Sequence, residues 1–241
     1  MRVLVVLLMS CLLGSTAMSA SNVSKSFSLL NTNYHWSAST SLKKDARAQA
    51  ILDKFSRKIT SYKSLLADFT FHIENTDAGV KETQTGKLYM KGDKYRIENK
   101  DFERCSDGNS VWTFFKYGEG EGEVQVTDNS NEEGELSPQM LFSIYKKDFY
   151  PVFKQETVED GKAVSVIDLT PKNKEIPYFK VRLFFEKATN MLVKSIVFEK
   201  SGTVFTFLLD NYKTNKVYED SFFVMKKEAY YPKYDWVDLK D

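Results

Sequence analysis

The side chains able to do chemistry are few and scattered. Two histidines occur, His35 and His72. A zinc site or a Ser/His/Asp arrangement needs several converging groups, so neither is expected, and His72 reads as a polar residue on the wet side of a strand. Cysteine is as scarce, at Cys11 and Cys105. Cys105 precedes Ser106-Asp107-Gly108 without a CxxC partner, and the adjacent Arg104 alone is little to hold a thiolate; a half-buried thiol at a strand end is expected. Seven acids lie between Glu119 and Glu135, with no Lys or Arg between Lys116 and Lys146. Their Gly-rich setting reads as a solvated loop, not a positioned acid/base pair. Gly118-Glu119-Gly120-Glu121-Gly122 lacks the Lys-Ser/Thr of a phosphate loop and carries acids that repel phosphate. The same run offers a docking surface to a basic partner, with Glu121, Glu123, Glu132 and Glu133 as the side chains concerned. No catalytic residue, metal set or cofactor motif is expected, so binding is the function to look for.

The N-terminus sets the compartment. Met1-Arg2 is a short basic start, Val3 to Leu13 is apolar apart from Ser10 and Cys11, and small residues follow to Ala20. This is the pattern of an export signal, too short to span a bilayer, with cleavage near Ser19 or Ala20 and a periplasmic destination. A competing reading takes Leu8-Met9-Ser10-Cys11 as a lipobox and Cys11 as a lipidated anchor. Met9 is unusual at that place, and hydrophobicity continues past Cys11. If Cys11 leaves with the signal, Cys105 is the one thiol left and no intramolecular disulfide forms.

Without Arg2 the chain has 33 basic and 33 acidic residues, a balance that points away from nucleic acid. Aromatics are abundant, with 18 Phe, 13 Tyr and 3 Trp in a chain that is 28% charged. Such rings belong in an interior, and whether that interior is solid or hollow is the question the sequence poses.

The elements that must position these groups follow from periodicity. Residues 20–44 are Ser- and Asn-rich and read as a polar leader. From Asp45, a cap residue, Ala48, Ile51, Leu52, Phe55 and Ile59 recur at helical spacing. Ala67, Phe69, Phe71 and Ile73 then alternate with polar residues, a strand with one dry face. Leu88–Met90, Tyr95–Ile97 and Val111–Phe114 read as further strands, turning at Lys91-Gly92-Asp93 and Ser106-Asp107-Gly108-Asn109. Val164–Leu169, Val181–Phe185, Leu192–Phe198 and Val204–Leu209 repeat the style. Ser137-Pro138 starts a short helix bearing Met140, Leu141 and Ile144. The expected fold is mainly β: a curved antiparallel sheet with two helical segments across its concave face.

An ordered set of segments resembles a known family. It comprises Ile51-Leu52-Asp53-Lys54-Phe55, Tyr62…Asp68-Phe69-Thr70, Gly86-Lys87-Leu88-Tyr89-Met90-Lys91, Ser106 to Trp112, Ser137-Pro138, Asp168-Leu169-Thr170-Pro171-Lys172 and Val237-Asp238-Leu239-Lys240. Together they resemble the periplasmic lipoprotein carriers of the LolA family from about Asp45 to Asp241. The resemblance implies an unclosed β-barrel with a helical lid, no enzymatic activity, no cofactor, and a cavity for acyl chains. Its wall would hold Phe69, Phe71, Leu88, Met90, Tyr95, Ile97, Trp112 and Phe114, and its lid Met140, Leu141 and Ile144. The implied partners are acylated lipoproteins, an inner-membrane lipoprotein-releasing transporter and an outer-membrane acceptor, met by a monomer. A lipid-anchored receptor, or an amphiphile-binding or envelope-sensing module of the same fold, is the alternative. One departure stands out: family members carry an Arg after the second strand that latches the lid, where this chain has Lys91-Gly92-Asp93. Arg96 has the parity opposite to Tyr95 and Ile97 and should point outward, leaving Lys91 as a weak substitute.

Overall fold

The computed structural model describes residues 45–118, 120–129 and 148–240. The export signal, the leader, Glu132 and Glu133, and the lid residues Met140, Leu141 and Ile144 lie outside the described residues.

Helix α1 spans Ala46–Ser61 and buries Ala48, Leu52 and Phe55, the stripe that helical spacing requires. Asp45 caps it: Oδ1 accepts from the Arg47 and Ala48 backbone N–H groups, each at 3.0 Å. Among the described residues twelve strands follow in one sheet. The first meander comprises β1 (Leu65–Asn75), β2 (Val80–Lys91), β3 (Lys94–Asn99), β4 (Phe102–Ser106), β5 (Ser110–Gly118) and β6 (Glu121–Asp128). The second comprises β7 (Phe149–Glu159), β8 (Lys162–Pro171), β9 (Tyr178–Glu186), β10 (Leu192–Glu199) and β11 (Val204–Thr214). Asp160-Gly161, both at positive φ, make the tight turn from β7 to β8.

The meanders join through β1 and β11, and a short β12 (Asp235–Asp238) adds in parallel to β6. The spatial order is β12-β6-β5-β4-β3-β2-β1-β11-β10-β9-β8-β7. The end strands β12 and β7 do not pair with each other, so the sheet is an unclosed barrel. One face of the strands from β3 to β7 feeds a single apolar cluster with α1. A flat run of those eight strands would be about 34 Å wide at ~4.8 Å per strand. A helix is only about 10 Å across, so the strands must twist and curl for one face to share one core. At Phe69 the sheet uses a glycine: a Cβ on Gly86, directly opposite, would stand 2.7 Å from the Phe69 ring, so the ring lies over bare backbone.

The other face of the first meander is covered by the chain's own C-terminus. A 3-10 turn at Asp220–Phe223 and a helical turn at Lys227–Tyr230 cross it before β12 joins the edge at β6, and Cys105, Trp112, Phe114, Val124 and Val126 are buried against Met225, Tyr230, Tyr234 and Trp236.

Two expectations are corrected here. Residues 121–128 are strand β6, not a solvated loop; Val124 and Val126 are buried and alternate with polar residues, and Gly and Glu mask that alternation in sequence. Glu121 is therefore an exposed strand residue and Glu123 a half-buried one, its Oε1 accepting from Gln125 Nε2 at 2.6 Å. Cys105 is fully buried, not half-buried.

Candidate functional site

Residues directly opposite across antiparallel strands share a face, so the register decides which candidate side chains meet. Met90 stands between Leu65 and Tyr95, and Leu88 between Ala67 and Ile97. Phe69 faces Leu209, and Phe71 faces Phe207. Phe69, Phe71, Leu88, Met90, Tyr95 and Ile97 thus lie together on the inward face with α1. Leu88, Met90 and Tyr95 are buried, whereas Phe69, Phe71, Ile97 and Phe207 are half-buried. Phe71 stacks on Phe207 with ring centroids 4.3 Å apart and on Phe205 at 5.8 Å.

Trp112 and Phe114 are not part of this wall. Tyr95 pairs with Ser106 and Ser106 with Val111, while Ile97 pairs with Arg104 and Arg104 with Thr113. Val111 and Thr113 are therefore inward, and Trp112 and Phe114 turn to the opposite face under the C-terminal segment.

Helix α1 covers the β7–β9 side of the inward face. Phe55 meets Phe185 at 5.0 Å between centroids, Arg47 lies 3.6 Å over the Phe153 ring, and Lys58 Nζ donates to the Thr189 carbonyl. Asp45 Oδ2 accepts from the Phe153 N–H at 2.8 Å, fastening the helix to the edge strand β7. The hydrogen bonds from Ala48 and Phe153 hold the Asp45 carboxyl below its usual range.

Polar groups on this face are few. Arg104 Nε donates to the Tyr95 hydroxyl at 3.2 Å, Asn99 Nδ2 donates to Gln84 Oε1 at 3.0 Å, and the Tyr212 hydroxyl donates to the Leu192 carbonyl at 2.5 Å. Ser195 of β10 is buried on the same face. Ser195 escaped the sequence reading, and the inward parity of Arg104 becomes legible only once β4 is recognised as a strand.

The cations around the expected latch hold the C-terminal segment. Arg96 lies on the outward side, as its parity requires, but it is covered. Its guanidinium donates to Glu98 at 2.7 Å, Glu103 at 2.6 Å and the Phe222 carbonyl at 3.1 Å, and it sits 5.0 Å over the Phe222 ring. Lys91 Nζ donates to the Tyr218 carbonyl at 2.7 Å and to Asp220 at 2.8 Å. Lys94 reaches the other Asp220 oxygen at 2.7 Å. These two lysines hold the Asp220 carboxyl down at about 2.

Burial pushes the Cys105 thiol up to about 12, far from a reactive thiolate. His72 Nδ1 shares a 2.8 Å hydrogen bond with Thr83 on the neighbouring strand. No group of three or more His, Cys, Asp or Glu gathers among the described residues to hold a metal ion. No helix among them is long and apolar enough to cross a membrane. What the face offers is apolar and aromatic surface.

Comparison with known proteins gives the same direction. The family model for the outer membrane lipoprotein carrier protein LolA matches residues 60–226, and no curated protein gives a significant sequence match. Among solved structures, the chain is similar to a LolA superfamily protein from Nitrosomonas europaea, with 15% identity, 74% of this chain and 97% of that one covered, and a TM-score of 0.42. It is also similar to an uncharacterised conserved protein from Thermus thermophilus, with 13% identity, 80% and 99% covered, and a TM-score of 0.48. A third is the MucA/MucB complex of Pseudomonas aeruginosa, with 15% identity, 76% and 62% covered, and a TM-score of 0.37. The family match extends over well more than half of the chain, which therefore belongs to the family of the outer membrane lipoprotein carrier protein LolA.

Proposed function

We propose that this protein is a non-enzymatic periplasmic carrier that shelters the acyl chains of lipoproteins against the inward face of its sheet and ferries them from the inner to the outer membrane. One observation carries this reading beyond family membership: Phe69, Phe71 and Phe207 stand side by side on the inward face and are only half-buried, an apolar surface suited to a further covering group. Residues 1–19 act as the export signal, 20–44 as the leader and 45–241 as the carrier domain, working as a monomer without a cofactor. Its partners are acylated lipoproteins, an inner-membrane transporter that releases them and an outer-membrane acceptor.

The energetics of such a carrier are simple. Exposing an acyl chain costs about 0.8 kcal/mol per CH₂, so a ~16-carbon chain needs roughly 12 kcal/mol of shelter. Release occurs because the lid competes with the lipid for the same surface, and handover needs only a better acceptor. The acids Glu121, Glu123, Glu132 and Glu133 give a basic partner a place to dock.

The test is a hydrophobic dye bound to purified mature protein. A diacylated lipopeptide should displace it, and dye binding that ignores the lipopeptide would refute the proposal. Leu141→Asp or Ile144→Asp should weaken uptake with the sheet still folded; equal uptake would remove the lid from the mechanism. A second reading, a lipid-anchored receptor, draws on Leu8-Met9-Ser10-Cys11. The mass of the mature N-terminus separates the two: an acylated Cys11 means receptor, and a free amino group at Ala20 or Ser21 means soluble carrier.

A further inference from the structure

Beside the half-buried aromatic rings lies a polar group without a partner. Ser195 of β10 stands directly between Leu183 of β9 and Phe207 of β11. It is 0% exposed, and its Oγ makes no hydrogen bond. A buried hydroxyl left unmatched is costly, because it gives up water and receives nothing in return. The hydroxyl and amide groups of Tyr95, Asn99 and Tyr212 on the same face all have partners. Among the described residues, Ser195 Oγ is the one buried side-chain polar atom that has none.

Its position gives the defect a use. Leu183 on one side is sealed, while Phe207 on the other is half-buried and stacked on Phe71. The hydroxyl therefore lies at the border between the closed core and the surface left for a ligand, one ring away from access. A plain alkyl chain has no acceptor to offer it. An acyl chain has one, the carbonyl oxygen at its head.

We propose that Ser195 donates its Oγ–H to the carbonyl oxygen of a bound acyl group, and so distinguishes acylated cargo from other greasy chains. This rests on the carrier reading above and adds to it the chemical group recognised. The Phe207 ring must turn aside to admit the carbonyl.

The test compares two soluble lipopeptides with the same C16 tails and head, one ester-linked and one ether-linked, by dye displacement from wild-type protein and from Ser195→Ala. The wild type should bind the ester about tenfold more tightly. Ser195→Ala should bring the two within twofold while leaving the ether affinity unchanged. A second pair carrying an added N-palmitoyl amide separates the two carbonyl sources. If the amide is the group bound, ether linkage is harmless in that pair and Ser195→Ala weakens both members. Equal ester and ether affinities in the wild type, together with affinities that Ser195→Ala leaves unchanged in both pairs, would overturn the proposal while the carrier reading stands. A melting temperature lowered by Ser195→Ala without ligand would also overturn it, because the hydroxyl would then serve the fold. Failure of all four lipopeptides to bind the wild type would sink the carrier reading itself, and this proposal with it.

Discussion

Phe71→Ala is the sharpest probe of which face of the sheet meets lipid. The ring is half-buried, stacked on Phe207 at 4.3 Å and on Phe205 at 5.8 Å. If it gives about 50 Å² to an acyl chain and covers as much of that chain, roughly 100 Å² leaves water, near 2.5 kcal/mol at ~25 cal/mol per Å². Neighbouring rings and the flexible tail recover part of this, so a loss of about 1–2 kcal/mol is expected, a roughly 5- to 30-fold weaker lipopeptide Kd. The ring also stabilises the fold, and truncation of a half-buried Phe should cost about 2 kcal/mol, lowering Tm by about 4–8 °C in a domain of this size. That is well inside an ordinary stability of about 5–15 kcal/mol, so the variant remains folded and its Kd can be measured by dye displacement. Val152→Ala is the control: it lies on the edge strand β7, 42% exposed, with its neighbours Pro151 and Phe153 opposite the inward residues Leu169 and Ile167. It should leave Kd within twofold. A Phe71→Ala Kd within twofold of wild type, or an equal loss from Val152→Ala, would show that the inward face is not the lipid surface.

Asp45→Ala should destabilise by about 2 kcal/mol, through loss of a helix cap and of the bond to the Phe153 N–H, as read by urea unfolding at pH 7. Because the folded carboxyl titrates below its ordinary 3.8, this contribution is complete above about pH 4 and fades as pH falls further, so wild type and variant should converge in acid. Asp220 follows the same sign: its contacts with Lys91 and Lys94 hold above about pH 4 and are lost as pH falls through about 2. Fluorescence of Trp112, buried in the cluster under that segment, should report loosening over this window in the wild type and much less change in Asp220→Asn. Cys105, buried against Met225 with its thiol pushed up to about 12, should resist thiol reagents at pH 8 until the protein unfolds; rapid labelling of the native protein would refute the burial.

The local elements were legible in the sequence because periodicity is a local property. The Asp45 cap, the stripe of Ala48, Leu52 and Phe55, and the alternation of Ala67 to Ile73 each declare an element and its dry side without reference to anything distant. The order of the family-like segments was enough to suggest the family, and the match over residues 60–226 agrees. Three things needed the assembled sheet. The face of Trp112 and Phe114 depends on the register carried through β4, a strand too short and too mixed in Phe102-Glu103-Arg104-Cys105-Ser106 to announce itself. The burial of Arg96 depends on a C-terminal segment more than a hundred residues away folding across it, with the Phe222 carbonyl as its partner. The isolation of the Ser195 hydroxyl depends on Leu183 and Phe207 flanking it from other strands. Period and composition say which side of a strand is dry; only pairing between distant strands says which dry sides meet, and what they enclose.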